Sequence, residues 1–222
     1  MNKTVELVTE WGAFEERHPG ADIGDFCRHY LISQREKDKH IPLEGGDIPW
    51  NTNGLLLKLM GRISKLNSTF AAKALEGTGV DQLEEFGMLQ TVRRLGSPRK
   101  TEIIYANIFE LSSGTDMLNR LRNKGFVKEH EDKEDKRSKR VSLTTAGEKA
   151  IEKCAERMMK CAGMMLGEMS EEDVRLCTQL LKNVEIKFAA LWQEHRGDSF
   201  EEIYAAGRPV DREADRGRPM AP

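Results

Sequence analysis

Apolar residues recur at intervals of three and four positions along most of the chain, a spacing typical of amphipathic helices. In the first such segment Val5, Val8 and Trp11 share one face, and Pro19-Gly20 ends the pattern. Residues 38–50 contain two prolines and two glycines and are predicted to form a linker. The spacing predicts helices over residues 2–18, 22–37, 52–76, 81–95, 101–109, 112–124, 146–169 and 171–194, with a further helical turn at 200–206.

Residues suited to helix caps precede several of these patterns. Asp81 with Glu84, and Thr145 with Glu148, match the capping box, in which a side chain at the helix start and another three positions later satisfy free backbone N–H groups. Ser170 is expected to cap the last long helix.

The middle of the chain combines two short helices with a strand pattern. The helix over 101–109 is followed after a tight turn by one that ends near Lys124, which is the arrangement of a helix-turn-helix. Two alternating runs, FVKEHE at 126–131 and RVSLT at 140–144, flank a highly charged segment and predict a β-hairpin with a solvated tip. A helix-turn-helix followed directly by such a hairpin indicates a winged helix, so the expected fold class is mainly α with a small β-hairpin wing.

Composition limits the classes of partner. The chain has 222 residues, of which 38% are hydrophobic and 32% charged, and its formal net charge is −2. No global positive field attracts it to nucleic acid, so any DNA binding must come from a local surface. The segment from Pro98 to Arg140 has 11 Lys and Arg against 8 Asp and Glu, a balance of +3, so binding should depend on several positioned contacts.

Other classes of function find little support. Cys27, Cys154, Cys161 and Cys177 form no CxxC pair and have no histidine at metal-ligand spacing, so we expect reduced cysteines; a redox contact between subunits through Cys154 or Cys161 stays open. No nucleophile–base pair, phosphate-binding glycine loop or metal cluster is apparent, so neither an enzyme nor a cofactor is expected. With no signal-peptide pattern and no run of about 18 apolar residues, we expect a cytoplasmic protein without membrane contact.

The segment from Leu111 to Gly147 resembles the MarR family of bacterial transcriptional regulators. It contains the family's Asp-x-Arg wing motif at Asp135-Lys136-Arg137 and its apolar-x-Leu-Thr-x-x-Gly signature from Val141 to Gly147. The resemblance covers roughly residues 52–194. It implies a winged helix-turn-helix at 51–145 and C-terminal dimerisation helices at 146–195. The N-terminal helical extension and linker at 1–50 lie outside the family's usual core, and composition makes 196–222 a flexible tail.

The second helix of the helix-turn-helix should read the major groove with its N-terminal half. With Leu111, Leu118 and Leu121 facing inward, helical spacing places polar side chains outward. Gly114, where the family often has a branched or hydroxyl residue, could loosen the helix or bring its backbone close to DNA. The candidate contacts in this helix are Ser112, Ser113, Thr115, Asp116, Asn119 and Arg120. Helix capping by the serines alone, or a merely solvated face for Asn119 and Arg120, remain open.

In the wing, Arg137 could enter a minor groove, where a planar cation meets strong negative potential. Asp135 is expected to orient Arg137 without touching DNA. Lys136, Lys139 and Arg140 are expected to contact phosphates. An ordinary charged hairpin tip is the alternative.

The expected partners are double-stranded DNA and a second copy of the chain. A single winged helix reads a half-site, and two-fold dimers match pseudo-palindromic operators. In the resembled family the flanking helices build the dimer interface, which assigns that role to 2–37 and 146–194. The resemblance implies a regulator, expected to be a repressor, that a small-molecule effector could modulate. A methionine cluster at 158–169 is expected to pack in the core, with the lining of an effector pocket as the alternative. The alternative is a winged-helix protein-interaction module without specific DNA binding, favoured by Gly114 and Asp116.

Overall fold

The secondary structure follows the predicted order of elements. The computed structural model describes residues 2–36, 51–132, 135 and 138–208. Its elements are α1 (Lys3–Arg17), α2 (Ile23–Glu36), α3 (Thr52–Leu75), α4 (Leu83–Leu95), α5 (Lys100–Ala106), α6 (Leu111–Asn123), β1 (Val127–Glu131), β2 (Lys139–Leu143), α7 (Thr145–Leu166), α8 (Glu171–His195) and α9 (Phe200–Gly207). The expected fold class, mainly α with a two-stranded wing, is confirmed.

The described residues form two compact units, divided between Lys58 and Leu59. In the first unit, α1 and α2 pack through aromatic rings. Trp11 and Phe14 of α1 both contact Phe26 of α2, with ring centroids 5.3 and 5.6 Å apart. Phe14 and Phe26 are buried, so this helix pair has a small aromatic core of its own.

In the second unit, the helices α4 to α7 and the hairpin enclose one apolar core. On α6 and α7 the buried positions recur at intervals of mostly three or four residues, and on α4 pairs of adjacent buried residues recur every three residues, so each of these helices buries one face. Each fully buried Leu- or Ile-sized side chain contributes about 1.5–3 kcal/mol by leaving water. The core includes Leu75, Val80, Met88, Leu89, Val92, Ile103, Ile104, Leu118, Leu121, Val141 and Ile151.

The start of α4 differs from the predicted capping box. The N-cap position is Gln82, whose side chain makes no capping hydrogen bond. The Asp81 N–H instead donates to Glu85 Oε2 at 3.1 Å. The predicted capping box of Asp81 and Glu84 was therefore wrong. The carboxylate that accepts from the backbone before the helix belongs to the next residue, the fully buried Glu85.

The junction between the hairpin and α7 explains the Leu-Thr-x-x-Gly signature. Thr144, and not Thr145 as predicted, caps α7: its Oγ1 accepts from the Gly147 N–H at 3.1 Å. The same hydroxyl donates to the Gly125 carbonyl at 2.6 Å, which fixes Thr144 in the cap position. A Cβ on Gly147 would collide with the Phe126 carbonyl oxygen, so only glycine lets α7 begin this close to the hairpin.

Gly114 lets α5 and α6 approach closely within the helix-turn-helix. It is buried, and a Cβ at this position would lie 2.6 Å from Ile104 Cγ2. The glycine therefore brings the backbone of α6 close to α5, a role that neither possibility suggested by the sequence, a loosened helix or a backbone close to DNA, included. Leu111 was expected inward with Leu118, but it is 49% exposed, because it is the first residue of α6 and lies beyond the buried stripe.

The wing is an antiparallel hairpin in which Val127 pairs with Leu143 and Glu131 with Lys139. Val127 and Val141 are buried and anchor the two strands in the core. The segment before α5 adds a contact that the sequence did not predict, since the Val141 N–H donates to the Pro98 carbonyl at 2.9 Å.

The C-terminal helices are largely exposed. Ser170 caps α8 as predicted, accepting from the Asp173 N–H at 3.1 Å. All residues of α8 are described, and none is buried. Of the predicted flexible tail at 196–222, residues up to 208 are described and include α9, which matches the predicted helical turn; the remainder lies outside the described residues. Among the described helices, none is long and apolar enough to cross a membrane.

The close approach at Gly114 predicts an unusual effect of alanine. Gly114→Ala should destabilise the fold by about 1–3 kcal/mol, because the new methyl overpacks against Ile104. In an exposed helix the same change would stabilise by about 1 kcal/mol. Urea unfolding measures the difference.

Two variants serve as controls for this prediction. Ser113→Ala, at an exposed neighbouring position, should change stability little. In an Ile104→Ala background, Gly114→Ala should cost much less than in the wild type, because the colliding atoms are gone. Equal effects of Gly114→Ala in both backgrounds would contradict the packing described here.

Candidate nucleic-acid interface

The N-terminal half of α6, the candidate recognition helix, presents polar side chains to solvent. Ser112, Ser113 and Asp116 are exposed, while Thr115 and Asn119 are half-buried. The N-cap is Glu110, so the two serines lie inside the first turn and do not cap the helix. The N–H groups of a first turn have no acceptor within the helix, so together with these hydroxyls they can meet a phosphate or a base edge.

The cations in the C-terminal half of α6 are bound to acids of the same domain. Arg120 Nε lies 3.2 Å from Glu85 Oε1, and Lys124 Nζ lies 2.7 Å from Glu85 Oε2. Lys124 also contacts Asp81 Oδ2 at 2.8 Å. Burial alone would lower the pKa of Lys124, but its bonds to Asp81 and Glu85 raise that pKa above its ordinary value. Arg120, predicted to contact DNA, is thus anchored to α4 through one edge while its side chain stays 48% exposed.

Glu129 on β1 gathers cations from three other elements. Its carboxylate lies 2.7 Å from Lys100 Nζ of α5, 3.2 Å from Arg122 of α6 and 4.0 Å from Lys139 of β2. Burial of Glu129 disfavours its charged form, yet these cations, Lys100 foremost, hold the pKa of the carboxyl below its ordinary value. The carboxylate therefore stays ionised at neutral pH and ties the helix-turn-helix to the wing.

Asp132 plays a similar part at the end of β1. Its buried carboxylate lies 2.7 Å from Arg99 Nε and 3.1 Å from Arg140 Nε. Arg140 also donates to the Ser97 carbonyl at 2.8 Å. The end of the hairpin next to its tip loop is thereby fixed to the turn before α5. Arg140, a predicted phosphate contact, is positioned by these bonds and remains half-exposed.

The tip of the wing is described only in part. Lys136 and Arg137 lie outside the described residues, so the expected pairing of Asp135 with Arg137 stays a prediction. Asp135 accepts a hydrogen bond from the Ser138 hydroxyl at 2.7 Å. Lys139 is exposed and available to a phosphate.

Sequence reasoning missed the three acids that organise this surface, Glu85, Glu129 and Asp132. Most of the cations that pair with these acids are distant in the chain, so no local sequence motif predicts the ion pairs. Glu85 did give a signal, because it lies four residues before Leu89 and seven before Val92, on the buried face of α4. A carboxylate at such a position requires cationic or hydrogen-bonding partners.

The four cysteines differ in their exposure to solvent. Cys154 and Cys161 are buried, whereas Cys27 and Cys177 are exposed. Burial raises the pKa of the Cys154 thiol, which disfavours the reactive thiolate. Within the described residues, no group of three or more His, Cys, Asp and Glu side chains is arranged to hold a metal ion.

A cavity of about 510 Å³ lies between α3 and α7. Apolar side chains and three cations share its wall, so it could take a small molecule with an apolar body and a negative group. Of the methionine cluster at 158–169, Met158 packs against the core, as the sequence favoured, whereas Met164 lines this cavity. The lining residues are Phe70, Lys73, Ala74, Arg157, Lys160, Cys161 and Met164.

Comparisons with known proteins agree with this geometry. A family model described as a winged helix DNA-binding domain matches residues 84–147. A cysteine-to-serine variant of MarR from E. coli, solved with operator DNA, is 24% identical, with a TM-score of 0.55 over 58% of this chain and 92% of that one. No match was found among curated proteins.

Two further solved structures extend the similarity. A MarR-family regulator from Rhodococcus sp. RHA1 is 15% identical, with a TM-score of 0.56 over 61% of this chain and 95% of that one. The organohalide-sensing regulator RdhR, solved with 2,4-dichlorophenol bound, is 14% identical, with a TM-score of 0.59 over 72% of this chain and 96% of that one. Residues 84–147 of this chain are therefore similar to a winged helix DNA-binding domain, and the chain has the fold of the solved MarR-family regulators, which confirms the fold that the resemblance implied.

Proposed function

We propose that this protein is a transcriptional regulator that binds a specific DNA sequence. The observation that carries the proposal is the exposed polar face at the start of α6, together with a wing whose strand ends next to the tip loop are fixed by Asp132. A helix presented in this way fits the major groove, where hydroxyl, amide and carboxylate groups can read base edges.

The polar side chains of α6 are the first class of proposed DNA contacts. Those that would face bases or the nearest phosphates are Ser112, Ser113, Asp116 and Asn119, with Thr115 at the boundary of the exposed face. Asp116 cannot approach a phosphate without repulsion, but it can accept a hydrogen bond from a cytosine amino group.

The cations of the proposed contact set would meet the DNA backbone. Arg120 uses its Nε–H on Glu85, and Arg140 uses its guanidinium on Asp132 and on the Ser97 carbonyl. The remaining donors of each side chain can reach phosphates. Lys136 and Lys139 would add phosphate contacts, and Arg137, oriented by Asp135, would enter the minor groove.

We propose that the protein acts as a homodimer on a pseudo-palindromic operator. Support comes from α8, a 25-residue helix without a buried side chain. Leu176, Leu180, Val184 and Phe188 on this helix are each more than 45% exposed, an apolar surface that a monomer would leave in water. In a two-fold dimer both copies would use the same surface.

We propose repression as the mode of action, in which the bound dimer occupies DNA that the transcription machinery needs. A small-molecule effector could bind the cavity between α3 and α7. Its volume suits a small ligand, and the similar regulator RdhR has been solved with 2,4-dichlorophenol. An effector acts by favouring one spacing of the two recognition helices.

The alternative is a protein-interaction module that does not recognise a DNA sequence. Its support is the pairing of Arg120, Arg122 and Lys124 with acids of the same domain, together with the exposed Asp116. These ion pairs weaken the attraction to phosphate, on which general DNA affinity depends.

Selection from a random pool of duplex DNA tests the proposed function. The full chain should enrich a pseudo-palindrome, and Arg137→Ala should weaken binding to it by about tenfold or more, through loss of a minor-groove cation. Arg175→Ala, which removes the same charge from α8, should have little effect. Absence of any enriched sequence would favour the protein-interaction module, and unchanged affinity of Arg137→Ala across a salt titration would refute the wing assignment.

Sedimentation equilibrium tests the dimer. Leu180→Glu should shift the wild-type dimer towards monomer, because two carboxylates would enter an apolar interface, with an expected loss of about tenfold or more in dimer affinity. Gln179→Glu adds the same charge at the adjacent position and should have a smaller effect. A wild-type protein that stays monomeric at the concentrations where it binds DNA would contradict the homodimer.

A further inference from the structure

Glu129 contacts cations from three elements of the proposed DNA interface. The ammonium of Lys100 comes from α5, the guanidinium of Arg122 from α6 and the ammonium of Lys139 from the second wing strand. In a winged helix these elements lie beside the DNA backbone, so the three cations are the kind of group that would contact phosphates.

The Glu129 carboxylate reduces the positive charge that these three cations present to a phosphate. Three positive charges share one negative charge, which leaves a net charge of +2 at the site. The Glu129 side chain is only 10% exposed, so it is held in place by the strand, while Arg122 and Lys139 stay largely accessible. A phosphate that binds here must compete with a fixed carboxylate for the same donors.

This competition affects two kinds of DNA complex differently. Non-specific binding comes almost entirely from cations that neutralise phosphates, so a resident carboxylate weakens it directly. In a specific complex, base contacts by α6 add free energy that does not depend on these cations, and cations held in fixed positions lose less conformational entropy on binding.

We propose that Glu129 is a specificity-determining residue, whose carboxylate restrains Lys100, Arg122 and Lys139 and so suppresses binding to DNA of unrelated sequence. The inference rests on the proposed DNA binding and deepens it. Glu129 touches no DNA in this role; it acts through the three cations that it holds.

The other two acids of this surface are less suited to such a role. The Glu85 and Asp132 side chains are each only 1% exposed, and their ion pairs join segments of the core fold. Removal of either would leave cations without their buried partner and destabilise the domain. Glu129 lies nearer the surface, where a change of charge can alter DNA binding without unfolding.

The test compares three variants of the full chain. Glu129→Gln keeps the size of the side chain and removes its charge. Glu131→Gln removes one acid from the same strand at an exposed position and serves as the matched control. Glu129→Asp keeps the charge and shortens the side chain. Fluorescence anisotropy gives the Kd of each protein for its selected duplex and for a random duplex over a series of KCl concentrations, and circular dichroism monitors folding.

Glu129→Gln should bind the random duplex about three- to tenfold more tightly, with a salt dependence steeper by about one unit for each released cation that gains a phosphate. The affinity for the selected duplex should change less. The affinity for the selected duplex divided by the affinity for the random duplex should therefore fall by about three- to tenfold. Glu131→Gln should change this ratio less than twofold, and Glu129→Asp should keep the salt dependence of the wild type.

Several results would overturn the inference. A parallel loss of affinity for both duplexes, or a Gln variant that fails to fold, would make Glu129 a structural residue. A Glu129→Asp variant as unselective as Glu129→Gln would show that the charge is not the cause. A wild-type protein that binds the random duplex as tightly as any selected one would refute the proposed function, and this inference with it.

Discussion

The geometry of the candidate DNA interface depends on one buried carboxylate. Glu85 is fully buried on α4, where an unpaired charge would cost several kcal/mol. It is satisfied by Arg120 of α6, by Lys124 directly after α6 and by the Asp81 N–H. Because these partners lie on the candidate recognition helix, at its C-terminal end and on the chain before α4, the carboxylate fixes how α6 sits on the domain. The close contact of Gly114 with Ile104 fixes the other end of the same helix.

Acids organise the remainder of this surface in the same manner. Glu129 links α5, α6 and β2, and Asp132 links the tip end of the hairpin to the segment before α5. The exposed polar residues at the start of α6 therefore lie in a domain whose surface cations are already held in position by ion pairs with these acids. The segment from Pro98 to Arg140 has a charge balance of only +3. We therefore expect the proposed affinity for DNA to depend more on individually positioned contacts than on general attraction between the domain and phosphates.

The sequence was sufficient for the elements and insufficient for the ion pairs. Apolar spacing located the helices, and alternation with the Leu-Thr-x-x-Gly signature located the wing, because both depend on local periodicity. The caps at Gln82 and Thr144 were missed by one residue, since a hydroxyl or carboxylate can turn back from adjacent positions. The inward position of Gly114 and the partners of Glu129 depend on contacts between distant segments, which no local pattern records. The predicted contact residues Lys136 and Arg137 lie outside the described residues and stay predictions.

Amide hydrogen exchange of the full chain, with and without a duplex that contains its selected site, tests the central claim most directly. Bound DNA should slow exchange in the first turns of α6, around Ser112 to Asn119, and along the wing strands, because these backbone segments would lose access to water or open less often. Exchange in the middle of α8 should change little at a fixed oligomeric state. Protection confined to α1, α2 or α8, with α6 unchanged, would contradict the assignment of α6 and the wing as the DNA-binding surface.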